Sequence, residues 1–137
     1  MIRAVIDTNV LVSGLISPRG NEALVLLAVH QRLVRPCLSE EIIAEYAEVL
    51  ARPKFAFPAE EIVALIDMLR RNGEVFEPPS VPPVSPDPAD SKFLACAEAA
   101  AADFIITGNR RHFPPSGLGR TRIVSGGEIL EWITREI

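Results

Sequence analysis

Oxygen-bearing side chains stand directly after two apolar runs of this sequence, where strands of a parallel sheet would end. Asp7 follows the run Ile2–Ile6, and Thr107 and Asn109 follow a second apolar run. The carboxyl ends of parallel strands open into the crevice where such sheets bind ligands. Carboxylates that converge there repel one another, and a hard divalent cation bound through oxygen relieves that repulsion. The pattern favours a Mg2+ or Mn2+ site that activates water for attack on a phosphodiester.

One glutamate of the segment SEEIIAEYAEVL is placed to reach this sheet edge. The segment carries four glutamates, which are Glu40, Glu41, Glu45 and Glu48. At about 100° per residue, the buried stripe of the helix consists of Ile42, Tyr46, Val49 and Leu50. Glu41 and Glu48 point away from that stripe, whereas Glu45 lies nearest to its boundary. A run of glutamates is by default a solvated helix face, so Glu45 alone is a candidate for the site.

Two aspartates open the segment DPADSKFLACA, and each has a structural alternative. Asp90, Leu94 and Ala97 share one helical face, so a carboxylate stands on the stripe that meets the sheet. Such burial is costly unless the charge is compensated, which the helix N-terminus alone could do. An N-cap position accounts fully for Asp87. Asp103 precedes a strand and is therefore expected at the opposite sheet edge, away from the crevice.

Basic and aromatic side chains surround the last polar position. They are Arg110, Arg111, His112, Phe113, Arg120 and Arg122. In a functional interpretation, the arginines hold the phosphate backbone beside the metal and Phe113 stacks on an unpaired base. The alternative is an ordinary solvated loop. No Ser-His-Asp or Cys-His set competes for a catalytic role, because His30 ends an early helix and His112 lies in the loop.

Short β-prone runs alternate with segments of helical periodicity along the chain. Strands are predicted at Ile2–Ile6, 33–37, 74–76, 104–107 and Arg122–Val124. Helices are predicted at 21–31, from the N-cap Ser39 to 51, at 58–72 before Gly73, from the N-cap Asp87, and from the N-cap Ser125 to 132. Loops are expected between the first strand and residue 21 and over the proline-rich segment 78–88. This alternation predicts a three-layer α/β/α sandwich with a mainly parallel central sheet.

Length and composition are those of a globular protein with a substantial core. The 137 residues are 48% hydrophobic and 23% charged, and we expect a single domain over residues 1–137. The net charge of -4 argues against a protein that coats nucleic acid by charge alone. Cys37 and Cys96 lack the spacing of a zinc site and are expected to be buried free thiols. With no leader or membrane-spanning run recognised, a cytoplasmic protein is expected.

Four motifs together resemble the PIN domain. They are a strand ending in DTNVLVSGL, the helix SEEIIAEYAEVL, the helix opening DPADSKFLACA and a strand ending in ITGNRRHF. The resemblance covers nearly the whole chain and is greatest to bacterial PIN proteins described as toxins of toxin–antitoxin systems, of the VapC type. It implies a metal-dependent ribonuclease, a cognate antitoxin and a homodimer.

The same resemblance assigns residues of the site. Asp7, Glu45 and Asp90 match the three principal acids, and Asp87 matches a further acid common before the helix. Many PIN domains carry an aspartate where this chain has Asn109. Because asparagine is uncharged, it weakens the charge-based binding of a second metal ion.

Three hypotheses about function follow. The first is an endoribonuclease toxin in which Asp7, Glu45 and Asp90 hold Mg2+ or Mn2+, while Asn109 and Thr107 complete the site. Arg110, Arg111 and Thr107 then contact the RNA. The second, prompted by Asn109, is a PIN fold with weak catalysis that acts by binding RNA or a protein partner. The third is a receiver-like or phosphatase-like domain with Asp7 as phosphoryl acceptor, although Lys92, inside a helix, is poorly placed for that chemistry.

Overall fold

The computed structural model describes residues 1–78, 90–110, 113 and 119–136. Its sheet contains five strands, which are β1 (Ile2–Ile6), β2 (Val34–Leu38), β3 (Glu74–Val75), β4 (Phe104–Ile106) and β5 (Arg122–Val124). All neighbouring strands run parallel, in the order β3-β2-β1-β4-β5. The predicted strands are therefore confirmed to within one residue at each end.

Helices cover the sheet. Those of the described chain are α1 (Thr8–Ile16), α2 (Asn21–His30), α3 (Glu40–Leu50), α4 (Ala59–Asn72), α5 (Ser91–Ala100) and α6 (Gly126–Glu136), with a short 3-10 turn at Pro53–Phe55. One layer contains α2, α4 and α6, and α2 contacts both of the other helices. Helix α5 packs on β1, β2 and β4. The predicted three-layer α/β/α sandwich is confirmed.

The centre of the sheet is covered on both faces. Ala4, Val5 and Ile6 of β1 are consecutive and completely buried, although successive side chains of a strand point to opposite faces. An apolar run without alternation is typical of a strand inside a parallel sheet with helices on either side. The same run therefore predicts both the central place of β1 and the burial of the residue that follows it.

Strand order reverses at β1. The chain goes from β1 outward to β2 and β3, and then returns to the other side of β1 for β4 and β5. Open parallel sheets bind ligands at such a reversal, beyond the carboxyl ends of the strands. The residues after β1 and β4, Asp7 and Thr107, are neighbours at this point.

Helix α1 corrects the expectation of a loop between β1 and residue 21. Gly14 and the β-branched residues near it disfavour a helix when propensity alone is considered. In the structure, Gly14 lies against α2, and a Cβ at this position would come within 2.7 Å of Leu26 Cδ1 and 3.3 Å of the Glu22 carbonyl oxygen. Close packing of two helices requires this glycine, so tertiary contacts override its low helix propensity.

Other element ends follow their expected signals. Ser39 Oγ accepts a hydrogen bond from the Ile42 backbone N–H (3.2 Å) at the start of α3. Gly73 ends α4 where a Cβ would meet the Pro36 carbonyl oxygen at 2.5 Å. Helix α5 begins at Ser91 and places Asp90 at its N-cap. The start predicted for it, at Asp87, and most of the proline-rich segment lie outside the described residues.

The helices in the described part of the chain are short relative to the thickness of a bilayer. No single helix there is long and apolar enough to cross a bilayer. Helices α1 and α2 taken together have the required length and apolar composition, but they form a pair bent by 105°.

Candidate active site

Asp7 is fixed at the carboxyl end of β1 by the neighbouring strand. Its backbone N–H donates to the Ile106 carbonyl (2.9 Å), and its Oδ2 accepts a hydrogen bond from the Thr107 hydroxyl (2.7 Å). The side chains come from residues 100 positions apart in sequence, and both are buried, with Asp7 5% exposed. This pairing of strand ends confirms that the two polar positions meet at one edge of the sheet.

Thr107 supports Asp7 from inside the protein. Thr107 is completely buried. Its N–H donates to the Val124 carbonyl (2.9 Å), which extends the pairing of β4 with β5, and its Oγ1 accepts a hydrogen bond from the Asn109 N–H (3.0 Å). A hydroxyl engaged in this way is not directed towards solvent. In this structure Thr107 supports Asp7 and the turn that carries Asn109, and its predicted contact with substrate stays a prediction.

Asn109 lies half-buried just beyond that turn. The Gly108 N–H donates to Asn9 Oδ1 (3.4 Å), which ties the turn after β4 to the first residues of α1. The chain segments after β1 and β4 are thus joined twice, through Asp7 and through Asn9. The backbone of Asn109 is linked to Asp7 through the Thr107 hydroxyl, which contacts both residues.

Glu45 is the glutamate of α3 that turns inward, as its helical position predicts. The neighbouring Glu41 and Glu48 are exposed, whereas Glu45 is half-buried. Its Oε2 accepts a short hydrogen bond from the Thr8 hydroxyl, and its Oε1 pairs with the Lys92 ammonium (2.8 Å). Because Thr8 directly follows Asp7, the first contact links Glu45 to the end of β1.

Tyr46 holds α3 against the same strand end. Its hydroxyl donates to the Ile6 carbonyl, and the ring is completely buried. Burial raises the pKa of Tyr46 well above its ordinary value, and smaller contributions in the same direction come from the negative charges of Asp7 and Glu45. The Tyr46–Ile6 contact brings α3 to the end of the strand that Asp7 follows, and Glu45 directly precedes Tyr46 in sequence.

Asp90 stands at the N-cap of α5 and is 7% exposed. Leu94 and Ala97, predicted to share its helical face, are fully buried. An N-cap aspartate usually accepts a hydrogen bond from the first turn, yet neither Asp90 in α5 nor Asp7 in α1 makes such a capping bond. Helix capping therefore does not account for these two buried acids.

Three other candidate residues lie at the amino end of the sheet, a position that was expected for Asp103 but not for Arg120 and Arg122. Asp103 lies at the opposite sheet edge, as predicted, where Oδ2 accepts from the Arg3 N–H (3.0 Å) and Oδ1 from Arg120 (2.8 Å). Arg122 begins β5 at that same amino end and lies over the Trp132 ring. Arg120 and Arg122 are therefore remote from Asp7, because they lie at the amino ends of the parallel strands, whereas Asp7 lies at the carboxyl ends.

Phe113 is also not available to a base. It is 1% exposed and belongs to the hydrophobic core, so the predicted stacking role was wrong. Arg110 is exposed and forms an ion pair with Glu128, a residue that exchanges hydrogen bonds with Ser125 at the start of α6. Asp87, Arg111 and His112 lie outside the described residues.

The protein-family comparison fits this arrangement. A family model described as PIN domain matches residues 3–111, well over half of the chain. The chain belongs to the PIN-domain family. A search of curated proteins gave no match. PIN domains are in general metal-dependent nucleases, and the match covers Asp7, Glu45, Asp90 and Asn109.

Two side chains of this PIN domain carry no strong sequence signal of their own. Thr8 is a small polar residue in the run after β1, and Lys92 has the default interpretation of a solvated helix lysine. Both become recognisable only because α1 and α5 each approach α3, so that α1 presents Thr8 and α5 presents Lys92 to Glu45. The contact between Thr8 and Glu45 spans 37 positions of the sequence, and that between Lys92 and Glu45 spans 47. Helical periodicity alone cannot predict contacts between residues so far apart in sequence.

The donor chemistry of the site fits a divalent cation. Asp7, Glu45 and Asp90 offer carboxylate oxygens, two of these residues are nearly buried, and hard cations such as Mg2+ prefer such ligands. Over the described part of the chain, however, no group of three or more His, Cys, Asp or Glu side chains is arranged to hold a metal ion. Asp7 and Glu45 are instead engaged by hydroxyl and ammonium donors of the protein itself.

Proposed function

We propose that this PIN-domain protein is a metal-dependent endoribonuclease and acts as the toxin of a toxin–antitoxin pair. The observation that carries the proposal is the buried contact between Asp7 and Thr107 at the reversal of strand order. A carboxylate is costly to bury, and here it is maintained at the place where this class of sheet binds ligands. The family match supports nuclease chemistry at that place.

In this proposal Asp7, Glu45 and Asp90 hold Mg2+ or Mn2+, with Asp87 as a further acid before α5. When bound by these residues, the cation would supply Lewis-acid activation of water and stabilisation of negative charge on the departing oxygen. Thr107 and Thr8 keep Asp7 and Glu45 in place through their hydroxyl groups. Asn109 completes the site with an uncharged oxygen or orients the water.

Arg110 and Arg111 are proposed to hold the RNA backbone. Arg110 exchanges its partner Glu128 for a phosphate, which costs little because both side chains of that ion pair are exposed. A basic group beside the site then compensates for the overall acidic charge of the chain.

Partners and location are part of the same proposal. A cognate antitoxin and a homodimer are expected for a toxin of this family, and exposed Ile16, Leu24 and Leu27 provide apolar surface for a protein partner. The two buried free thiols, Cys37 and Cys96, are compatible with a reducing cytoplasm.

The test is cleavage of a mixed, partly single-stranded RNA pool by the purified protein with Mn2+, with EDTA, and by Asp7→Asn. Asp67→Asn is the matched control, since Asp67 is exposed on α4. Cleavage that disappears with EDTA and in Asp7→Asn, but persists in Asp67→Asn, is the expected result. Undiminished cleavage by Asp7→Asn contradicts the proposal.

A second candidate is a PIN domain that binds RNA or a partner with weak catalysis. Asn109 favours it, because an amide contributes no charge to a cation site. RNA binding that is independent of Mn2+, with no cleavage under any condition, would support this function over the nuclease.

A further inference from the structure

Lys92 makes an unusually sheltered contact with a candidate metal ligand. Its Nζ lies 2.8 Å from Glu45 Oε1, and each side chain is 21% exposed. Two other ion pairs of helix α3, Glu40–Arg70 and Glu48–Arg52, leave every side chain at least 43% exposed. Exposed pairs of that kind contribute little, whereas a pair withdrawn from water interacts more strongly.

Charge balance explains what this lysine does at the site. Glu45 is bonded to Thr8, the residue after the nearly buried Asp7, and Asp90 is two residues before Lys92 in sequence. Carboxylates that share a region of low dielectric repel one another, and an ammonium ion relieves that repulsion. Lys92 supplies the protein's own positive charge where a divalent cation would otherwise have to supply it.

The two oxygens of Glu45 have separate partners. Thr8 donates to Oε2 from the residue after Asp7, and Lys92 occupies Oε1. If Lys92 leaves, the Thr8 hydroxyl still holds the carboxylate towards the end of β1. The oxygen released is then available to a different cation without loss of the position of Glu45.

We propose that Lys92 is a built-in counter-cation which a divalent metal ion displaces from Glu45 Oε1. The ammonium and the metal ion compete for the same oxygen, and their like charges disfavour simultaneous occupancy. Lys92 thus sets the concentration of metal at which the site fills, and it is a positioning residue, not a ligand. The inference rests on the proposed cation site at Asp7, Glu45 and Asp90.

The chain contains only two lysines, Lys54 and Lys92, which makes the inference open to a clean test. Mn2+ affinity is measured by calorimetry for the full-length wild type, Lys92→Met and Lys54→Met. Methionine retains a long, flexible side chain without the charge. Lys54 is an exposed residue over the Phe55 ring and serves as the matched control.

Lys92→Met is expected to bind Mn2+ about tenfold more tightly than wild type, because one competing charge has been removed. Lys54→Met should equal wild type. Unchanged or weaker binding by Lys92→Met, with wild-type binding intact, overturns the role of Lys92 and leaves the nuclease proposal standing. Binding by neither protein overturns the cation site itself and the inference with it.

A second measurement avoids substitutions and so remains informative if Lys92→Met fails to fold. The wild-type protein is acylated briefly with an amine-directed reagent, with and without Mg2+, and the modification of each lysine is quantified by mass spectrometry. Mg2+ should increase modification of Lys92 several-fold and leave Lys54 unchanged. Equal modification of Lys92 in both samples, at a Mg2+ concentration that saturates the site, overturns the displacement.

Discussion

The hydroxyl of Tyr46 donates a hydrogen bond to the carbonyl of Ile6, the residue immediately before Asp7. Tyr46 is in turn adjacent to Glu45, so this single bond fixes the position of one candidate ligand relative to the other. Both partners are completely buried, where a lost partner is not replaced by water. The relative placement of β1 and α3 is therefore determined inside the core, below the site.

Tyr46→Phe tests this placement. The substitution leaves the Ile6 carbonyl without its side-chain donor and should lower the free energy of unfolding by about 1–3 kcal/mol. Mn2+ affinity should fall several-fold, because Glu45 is held less firmly beside Asp7. Urea unfolding and calorimetry measure the two effects. Loss of stability with full metal affinity would show that Tyr46 has a purely structural role.

Thr107→Val tests the support of Asp7. Valine has nearly the shape of threonine but cannot donate to Asp7 Oδ2, so RNA cleavage should fall about tenfold while the fold is retained. Thr121→Val is the matched control. Thr121 is also buried and donates to the Ala102 carbonyl (2.6 Å), but at the amino end of the sheet. It should lose comparable stability and keep its cleavage rate; equal losses of activity in both variants would contradict a specific role for Thr107.

Residues next to strand ends could be predicted from the sequence because one local pattern determines them. The apolar run of β1 indicates burial on both faces, and its end places Asp7 in the crevice without knowledge of other contacts. Helical periodicity likewise distinguishes Glu45 from Glu41 and Glu48. These inferences need only the strand and helix repeats, which the sequence displays directly.

Other features depend on contacts between distant parts of the chain. Gly14 indicates a loop by propensity, but its proximity to Leu26 makes it a helix-packing residue. Phe113 follows basic residues and yet enters the core. Lys92 and Thr8 acquire a role only through Glu45. A local pattern cannot specify which side chains tertiary packing will bring together.

Gly14→Ala should destabilise the protein by about 1 kcal/mol, because the overlap of the new methyl group with Leu26 and its approach to the Glu22 backbone outweigh the gain in helix propensity. Gly20→Ala is the control: Gly20 has a negative φ of −82°, and a Cβ there would have ordinary contacts with Ser17 at 3.4 Å. Thermal unfolding of both variants measures the difference. Equal melting temperatures would mean that α1 and α2 pack less closely than the structure shows.

Stability should decrease at alkaline pH because of the buried thiols. Burial raises the pKa of Cys37 to about 11 and that of Cys96 to about 12, from an ordinary value of 9.0. Below pH 9.0 both thiols are protonated in the folded and unfolded chain, so their contribution to stability is complete. As the pH rises towards the folded pKa values, the unfolded thiols ionise first and stability is lost.

The measurement is urea unfolding under reducing conditions at pH 8 and pH 10, where the free energy of unfolding should differ by at least about 1 kcal/mol. Cys96→Ala should reduce this difference, because it removes one of the titrating groups. A pH dependence identical in wild type and Cys96→Ala would show that the thiols do not cause it.

Asn109→Asp should strengthen metal binding. The substitution preserves the size of the side chain and the N–H that donates to Thr107 Oγ1, and it adds one negative charge to the turn that Thr107 links to Asp7. Mn2+ affinity should increase about fivefold, and cleavage at low Mn2+ should increase in parallel. Gln31→Glu adds the same charge at an exposed position after α2 and should leave affinity unchanged. Equal Mn2+ affinities of Asn109→Asp and Gln31→Glu would show that the side chain at position 109 does not contact the cation. The Asn109 amide would then no longer support the second candidate function, a PIN domain with weak catalysis.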